Sequence, residues 1–235
     1  MKQHIFFDLD GTLTDSAPGI LNSLRHAFAG FGLAPSEAVL RSYIGPPLRE
    51  SFARHFSSAA DVERAVRLYR DYFSERGLFE NAVYPGIPDM LRRLSVQARL
   101  YLATSKPEVF ALRIMDYFGL SPFFTGMYGA ELNGPRHDKA DVLRHALSRH
   151  RMASADAVMA GDRRHDVEGA HAVGLPCVGA AYGYGGRAEL EAAGAEAVAD
   201  DVPALERLLC GAVLRREGSA SPGRPSEEAD GAFCL

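Results

Sequence analysis

Short apolar segments alternate with amphipathic segments between residues 99 and 179, and this alternation limits the possible folds more than any other feature. The apolar segments, each of strand length, are residues 99–103, 124–128, 157–160 and 176–179. The segments with helical periodicity between them are residues 107–119, 138–150 and 166–173. Strands separated by helices of this length form parallel sheets with right-handed crossovers. Together with an apolar strand at residues 4–9, the pattern predicts an α/β fold built on a parallel sheet.

A helical block separates the first strand from the others. Between residues 16 and 76, apolar residues recur at helical spacing on one face of each of two segments. These residues are Ile20, Leu21, Leu24, Ala27 and Phe28 in the first segment, and Val62, Val66, Tyr69, Tyr72 and Phe73 in the second. A loop at residues 43–48, stiffened by two prolines, lies between them. The block predicts a smaller helical unit inserted after the first strand.

The predicted domain boundaries follow from these changes of pattern. Residues 1–15 and 85–212 form the core, and residues 16–84 form the inserted helical unit. Residues 213–235 are rich in Ser, Gly, Pro and Glu and poor in apolar residues, which is typical of a disordered tail.

The charge balance and the cysteines limit the partners and the compartment. The chain of 235 residues has 26 Lys and Arg against 30 Asp and Glu, and a net charge of −4 gives no general attraction to nucleic acid or an anionic membrane. No segment approaches the roughly 20 apolar residues of a membrane span, and the start does not resemble a signal peptide. The cysteines, Cys177, Cys210 and Cys234, are odd in number and lack zinc-site spacing. We therefore expect a cytoplasmic protein that binds neither nucleic acid nor membranes.

Two carboxylates stand at the carboxyl end of the first predicted strand. Asp8 and Asp10 stand at its carboxyl end, where ligands bind in open α/β sheets, and Gly11 allows a sharp turn after them. One such carboxylate can attack a phosphoryl group, and the other can transfer the proton that the leaving group needs. From these residues alone, a role in capping a turn is equally compatible.

Phosphate-binding residues are indicated at two helix starts. Thr104 and Ser105 follow the strand at residues 99–103, where a hydroxyl can donate to a phosphoryl oxygen. An ordinary helix N-cap is the alternative for them, and Lys106 is interpreted as a surface charge. Lys139 lies at the start of the predicted helix at residues 138–150, where a cation is unfavourable unless an anion compensates its charge. That anion is a phosphate, Asp8 or the neighbouring Asp138.

A second acidic pair follows the strand at residues 157–160. Asp162 comes directly after the strand, and Asp166 lies one helical turn further on. Mg²⁺ takes oxygen ligands, usually one or two carboxylates. Asp162 can therefore join Asp8 as a ligand, while Asp166 orients a bound water. The polar residues between the pair are interpreted as surface residues, with a role in substrate binding as the alternative: Arg163, Arg164 and His165.

In their order along the chain, these elements resemble the motifs of the haloacid dehalogenase superfamily. The matching elements are Asp8-Leu9-Asp10-Gly11-Thr12, Thr104-Ser105-Lys106, Lys139 and Gly161-Asp162-Arg163-Arg164-His165-Asp166. Within the superfamily the chain is most similar to the phosphoglycolate phosphatase group and its 5′-nucleotidase-like branch, through residues 43–48, 84–87, 103–108 and 161–166. The resemblance covers about residues 4–210. It implies a Rossmann-like core with a helical cap, which is the inserted unit.

The resemblance also implies a role for each motif residue. Asp8 is the expected nucleophile, which forms an aspartyl-phosphate, and Asp10 is the expected general acid and base. The residues expected to bind phosphate are Thr104, Ser105 and Lys139. The groups expected to hold Mg²⁺ are Asp8, the Asp10 carbonyl and Asp162, with Asp166 in support. The implied activity is Mg²⁺-dependent hydrolysis of a small phosphorylated metabolite by a monomer or a homodimer.

Two other functions stay open at this point. A sugar phosphomutase of the same fold also keeps Asp10, and a phosphate-sensing binding module would use the same phosphate contacts. Asp10 argues against a dehalogenase, whose leaving halide needs no proton. The cap is expected to select the substrate, with Tyr43 and Arg49 as its expected contacts. An ordinary surface or packing role is the alternative for each of them.

Overall fold

Six parallel strands form the main sheet of the computed structural model, which describes residues 3–46, 48–132 and 134–214. The strands are β1 (His4–Phe7), β2 (Thr14–Asp15), β3 (Ala82–Val83), β4 (Arg99–Pro107), β5 (Phe124–Ala130), β6 (Ala157–Gly161), β7 (Cys177–Ala180) and β8 (Ala197–Ala199). The main sheet has the order β5-β4-β1-β6-β7-β8, and all neighbouring strands in it are parallel. The predicted α/β fold with a parallel sheet is confirmed.

The helices of the described residues lie between these strands. They are α1 (Ala17–Ala29), α2 (Glu37–Arg41), α3 (Leu48–Ala53), α4 (Ala59–Tyr72), α5 (Ile87–Ser95), α6 (Glu108–Tyr117), α7 (Lys139–His150), α8 (Arg164–His171), α9 (Gly186–Ala192) and α10 (Val202–Leu214). Helix α10 continues two residues into the predicted tail, and the remainder of that tail, including Cys234, lies outside the described residues. None of these helices has the length and apolar content that a membrane crossing requires.

Helices cover both faces of the main sheet, which explains why its strands are apolar on both sides. Successive side chains of β1 point to opposite faces. Ile5 and Phe7 belong to an apolar cluster with residues of α5, α6 and α10. Phe6 belongs to a second cluster with residues of α7, α8 and α9. The two clusters hold the sheet in place between them, so the ends of its central strands are fixed relative to one another.

A separate helical unit lies between β1 and the rest of the core. Helices α1 to α4 pack around their own apolar cluster, whose aromatic members include Phe28, Tyr43 and Phe52. The chain leaves the core through β2 and returns through β3, and these two strands pair antiparallel as a short ribbon. The predicted helical cap is therefore present, and its bounds at residues 16 and 84 stay a prediction.

Candidate active site

Polar side chains meet at the carboxyl ends of three adjacent strands. Strand β1 lies between β4 and β6 in the sheet. Asp8 follows β1, Thr104 belongs to the last part of β4, and Asp162 follows β6. Ligands of open α/β sheets bind at this edge, so the order of the strands brings together motifs that are far apart in the sequence.

Asp8 is held in one orientation and remains open to the space beneath the cap. Its Oδ1 accepts a hydrogen bond from the backbone N–H of Leu9 at 2.7 Å and lies 2.9 Å from Nζ of Lys139. Its side chain is 13% exposed. Burial raises the pKa of Asp8 from its ordinary value, and Lys139 opposes this effect. The carboxylate is thus oriented at the edge of a cavity.

Lys139 is the central cation of the site. Its buried ammonium group lies 2.7 Å from Oδ1 of Asp166 and donates a hydrogen bond to the carbonyl of Ala103 at 2.7 Å. With the contact to Asp8, all three of its donors have a partner. Burial alone would lower the pKa of Lys139, but the nearby carboxylates Asp166 and Asp8 raise it above its ordinary value. Asp138, the alternative partner, instead caps α7 by accepting from the backbone N–H of Asp141.

Asp162 is fixed by contacts on both of its oxygens. Its Oδ1 accepts from Thr12 Oγ1 at 3.2 Å, and its Oδ2 accepts from the backbone N–H of Tyr184 at 2.8 Å. Gly11 has φ of +84°, and a Cβ at this position would lie 2.2 Å from Asp162 Oδ2. A glycine is therefore needed both for the turn after Asp10 and for the close approach to Asp162.

The acidic side chains fit a divalent cation. One carboxylate oxygen from each of Asp8, Asp162 and Asp166 lies within 4.8 Å of the others, and all three oxygens belong to buried or nearly buried side chains. Burial, followed by the charges of Asp166 and Asp8, raises the pKa of Asp162 well above its ordinary value. Among the described residues, Lys139 is the cation that pairs with this group. A donor set made only of oxygens suits a hard divalent ion.

The interpretation of Lys106 as a surface charge is wrong. Its side chain is 6% exposed, and its Nζ lies 2.8 and 2.6 Å from the two carboxylate oxygens of Asp10. Strand β4 continues to Pro107 rather than ending at residue 103. Because side chains alternate along a strand, Thr104 and Lys106 both point inward, and Ser105 between them is exposed at the edge of the cavity.

A cavity of about 930 Å³ lies between these strand ends and the cap. Both expected cap contacts border it, and each already has a partner within the cap. The hydroxyl of Tyr43 lies 2.8 Å from Nδ1 of His55, and Arg49 Nε donates to Glu63 at 2.6 Å. Their predicted role in substrate selection stays a prediction.

Arg70 was not expected at the site, yet it borders the same cavity from α4. Its half-buried guanidinium makes no hydrogen bond or ion pair with a side chain among the residues that the structure describes. Burial, followed by the charge of Arg49, lowers its pKa. One signal in the sequence could have indicated that Arg70 faces the cavity. It lies on α4 next to the apolar face, beside Tyr69 and four residues after Val66.

The interpretation of Arg163 as a surface residue is also wrong. Its side chain is 19% exposed and reaches from the core to the cap, where Nη1 donates to the carbonyl of Ile44 at 2.6 Å. Arg164 is exposed, as expected, and His165 is partly buried at the edge of the cavity.

Comparison with known proteins shows the family of this chain. The family described as haloacid dehalogenase-like hydrolase matches residues 5–180. A 5′-nucleotidase of Pseudomonas aeruginosa is 41% identical over 209 residues, which are 88% of this chain and 95% of that protein. Tyrosine-protein kinase PtkA of Mycobacterium tuberculosis is 43% identical over 185 residues, which are 78% of this chain and 63% of that protein.

A solved structure of a related protein supports the same family. A structure described as a predicted phosphatase from Clostridium acetobutylicum has a TM-score of 0.85 and 38% identity, and the match covers 90% of this chain and 99% of that one. The narrower resemblance is confirmed by relatives named 5′-nucleotidase and phosphoglycolate phosphatase. The chain therefore belongs to the haloacid dehalogenase-like hydrolase family, as one of its phosphatases.

Proposed function

We propose that this chain is a Mg²⁺-dependent phosphatase that hydrolyses nucleoside 5′-monophosphates, with Asp8 as its nucleophile. The observation that carries the proposal is the carboxylate of Asp8, which lies at the end of β1, 2.9 Å from the buried ammonium of Lys139, at the edge of the cavity. In-line attack on a phosphate needs an oriented nucleophile and neutralised charge. Lys139 orients the carboxylate of Asp8 and neutralises its charge.

The reaction has two steps on this chain. An oxygen of Asp8 attacks phosphorus and the bond to the leaving oxygen breaks, which gives an aspartyl-phosphate. Water then attacks that phosphorus and releases inorganic phosphate, leaving Asp8 as it began. Thr104, Ser105 and Lys139 hold the phosphoryl oxygens in both steps, and the hydroxyl of Thr104 already interacts with Asp8.

Asp8, the Asp10 carbonyl and Asp162 are the groups that would hold Mg²⁺, with Asp166 as support. When bound, Mg²⁺ supplies positive charge against the phosphate and the nucleophile, which otherwise repel each other. The position of Asp166 suits a supporting role, because its Oδ1 pairs with Lys139 and its Oδ2 accepts from the backbone N–H of Arg163.

Asp10 is the proposed acid that gives a proton to the leaving oxygen and the base that later removes one from water. Both of its oxygens contact Lys106 in this structure, so the acid step requires that this contact opens. The ammonium of Lys106 is then free to approach the phosphoryl group. Lys106 thus joins the proposed site as a residue that holds Asp10 until substrate arrives.

The size and lining of the cavity support a nucleotide. About 930 Å³ accommodates a nucleoside leaving group, and apolar side chains of the cap, such as Leu24, Leu48 and Val66, line the part that would hold the base. The relative named 5′-nucleotidase, which matches over 95% of its length, supports the same substrate class. Arg70 would donate to acceptor atoms of the base.

A second candidate substrate is 2-phosphoglycolate, and the guanidinium of Arg70 favours it. Arg70 has no ion pair within the described part of the chain, and an arginine of this kind at the cap side of the cavity suits a carboxylate on the leaving group. Arg70→Met separates the two candidates. It should remove almost all preference for 2-phosphoglycolate over 4-nitrophenyl phosphate if the carboxylate is recognised there, and should reduce nucleotide turnover only in part.

Phosphate release tests the proposal. We expect wild-type protein to release phosphate from at least one of the four ribonucleoside 5′-monophosphates, to lose this activity in EDTA, and to recover it when Mg²⁺ is added. Asp8→Asn should abolish it, because an amide is not a nucleophile here. Isomerisation of a sugar phosphate without phosphate release would indicate a phosphomutase, and binding without turnover would indicate a sensing module. Transfer from ATP to a tyrosine peptide is the control for kinase activity.

A further inference from the structure

Arg163 connects the catalytic core to the cap through a charged hydrogen bond. Its Nη1 donates to the carbonyl of Ile44, in the loop between α2 and α3, at 2.6 Å. Its Nε donates to Glu189 Oε1, at the start of α9, at 2.8 Å. The planar guanidinium presents donors in fixed directions, so Glu189 sets the direction in which Nη1 points.

The cap loop approaches Arg163 through a glycine. Gly45 has φ of +108°, and a Cβ at this position would lie 2.3 Å from Nη1 of Arg163. Any other residue would displace the guanidinium or the loop. The absence of a side chain at Gly45 therefore leaves room for the guanidinium directly against the loop.

The backbone of Arg163 is anchored to the acidic group. Its N–H donates to Oδ2 of Asp166 at 3.0 Å, and Oδ1 of Asp166 lies 2.7 Å from Lys139. One residue thus contacts the site through its backbone and the cap through its side chain. The loop that it holds also borders the cavity, through Tyr43, Ile44 and Gly45.

We propose that Arg163 is a positioning residue, which holds the loop at residues 43–46 over the leaving-group side of the cavity. Without the guanidinium, the loop would lose its link to the core, and substrates with a large leaving group would lose contacts that depend on its position. A small aryl phosphate would lose much less. The inference rests on the proposed function only for the choice of a nucleotide as the large substrate.

Kinetics with a matched control test this role. For Arg163→Met, we expect kcat/KM to fall about tenfold, equivalent to about 1.4 kcal/mol, with whichever ribonucleoside 5′-monophosphate turns over fastest. We expect a change below about twofold with 4-nitrophenyl phosphate. Arg164→Met removes the neighbouring exposed arginine and should change neither value. Equal losses on both substrates would overturn the proposal, because they would show that the variant damages the core site through Asp166.

Hydrogen exchange gives a readout that is independent of any substrate. The amides of Tyr43 and Ile44 bond within the cap loop, to the carbonyls of Leu40 and Arg41. Their exchange should become faster in Arg163→Met and not in Arg164→Met, while the amides of the main sheet stay protected in both. Unchanged exchange in Arg163→Met would overturn the proposal. If wild-type protein hydrolyses no nucleotide, the proposed function fails, and this measurement still decides the role of Arg163.

Discussion

Replacing Lys139 by methionine tests whether the acidic site is charged and buried as the structure indicates. Methionine is close to lysine in length and apolar, so the change removes the ammonium with little change in volume. Three contacts are lost, those with Asp8 Oδ1 at 2.9 Å, with Asp166 Oδ1 at 2.7 Å and with the Ala103 carbonyl at 2.7 Å. The variant therefore leaves Asp8 and Asp166, which are 13% and 1% exposed, without their cation and the Ala103 carbonyl without this donor.

The size of the effect follows from the cost of an unpaired buried charge. Removing one partner of a buried ion pair typically costs about 3 to 5 kcal/mol, and we expect Lys139→Met to lower the free energy of unfolding by this amount when no metal is bound. Lys106→Met is the matched comparison, because its partner Asp10 is 21% exposed and can be hydrated. A loss of about 1 to 3 kcal/mol is expected for that variant.

Urea denaturation in EDTA at neutral pH measures both losses. A second series with Mg²⁺ should recover part of the stability of Lys139→Met, because a divalent ion neutralises the same carboxylates. Activity should stay negligible in this variant with or without Mg²⁺. A loss of stability below about 1 kcal/mol in EDTA would refute the reasoning, since it would mean that the carboxylates are hydrated or protonated without Lys139.

Three further predictions concern the proton, the pH and the cap. Asp10→Asn should slow hydrolysis of an alkyl phosphate far more than that of 4-nitrophenyl phosphate, because only the poor leaving group needs a proton; equal losses would exclude the acid role. In EDTA, Asp8 and Asp162 have raised pKa values, so the folded protein binds more protons than the unfolded chain. The unfolding free energy from urea titrations should therefore contain a component that falls as pH rises above the ordinary carboxyl pKa of about 4, and Asp162→Asn should reduce this slope. Tyr43→Ala and Arg49→Ala should change kcat/KM unequally among phosphomonoesters; identical profiles would exclude both as substrate contacts.

The sheet and most of the candidate site are predictable because their signals are local. Apolar strands followed at once by Asp8, Thr104 and Asp162 mark strand ends, and a parallel sheet brings such ends together. Strand β8 (Ala197–Ala199) was not predicted, since three residues in an alanine-rich segment give no periodic signal. The strand is stabilised by its pairing with β7, which the local sequence does not indicate.

The residues that were misjudged depend on contacts between distant segments. Lys106 and Arg163 are polar residues close behind apolar segments, and such residues are usually exposed. Their side chains are only 6% and 19% exposed, because each contacts a partner that lies far away in the sequence, Asp10 in one case and Ile44 in the other. No local pattern reports such a partner. Arg70 is similar, because it is one of several arginines on α4 and only the cavity distinguishes it.

The ribbon of β2 and β3 has a consequence for how this protein can change over time. Both crossings between core and cap run through paired strands, so the ends of the intervening segment stay adjacent whatever lies between them. Doubling the length of a closed loop costs only about 0.6 kcal/mol. We therefore expect the core to tolerate exchange of residues 17–72 for a longer or shorter segment, provided that Phe73 and Leu78, which pack in the apolar cluster of the core, are kept. Under the proposed function, the core would then keep its phosphoryl chemistry while a changed cap alters the choice of substrate.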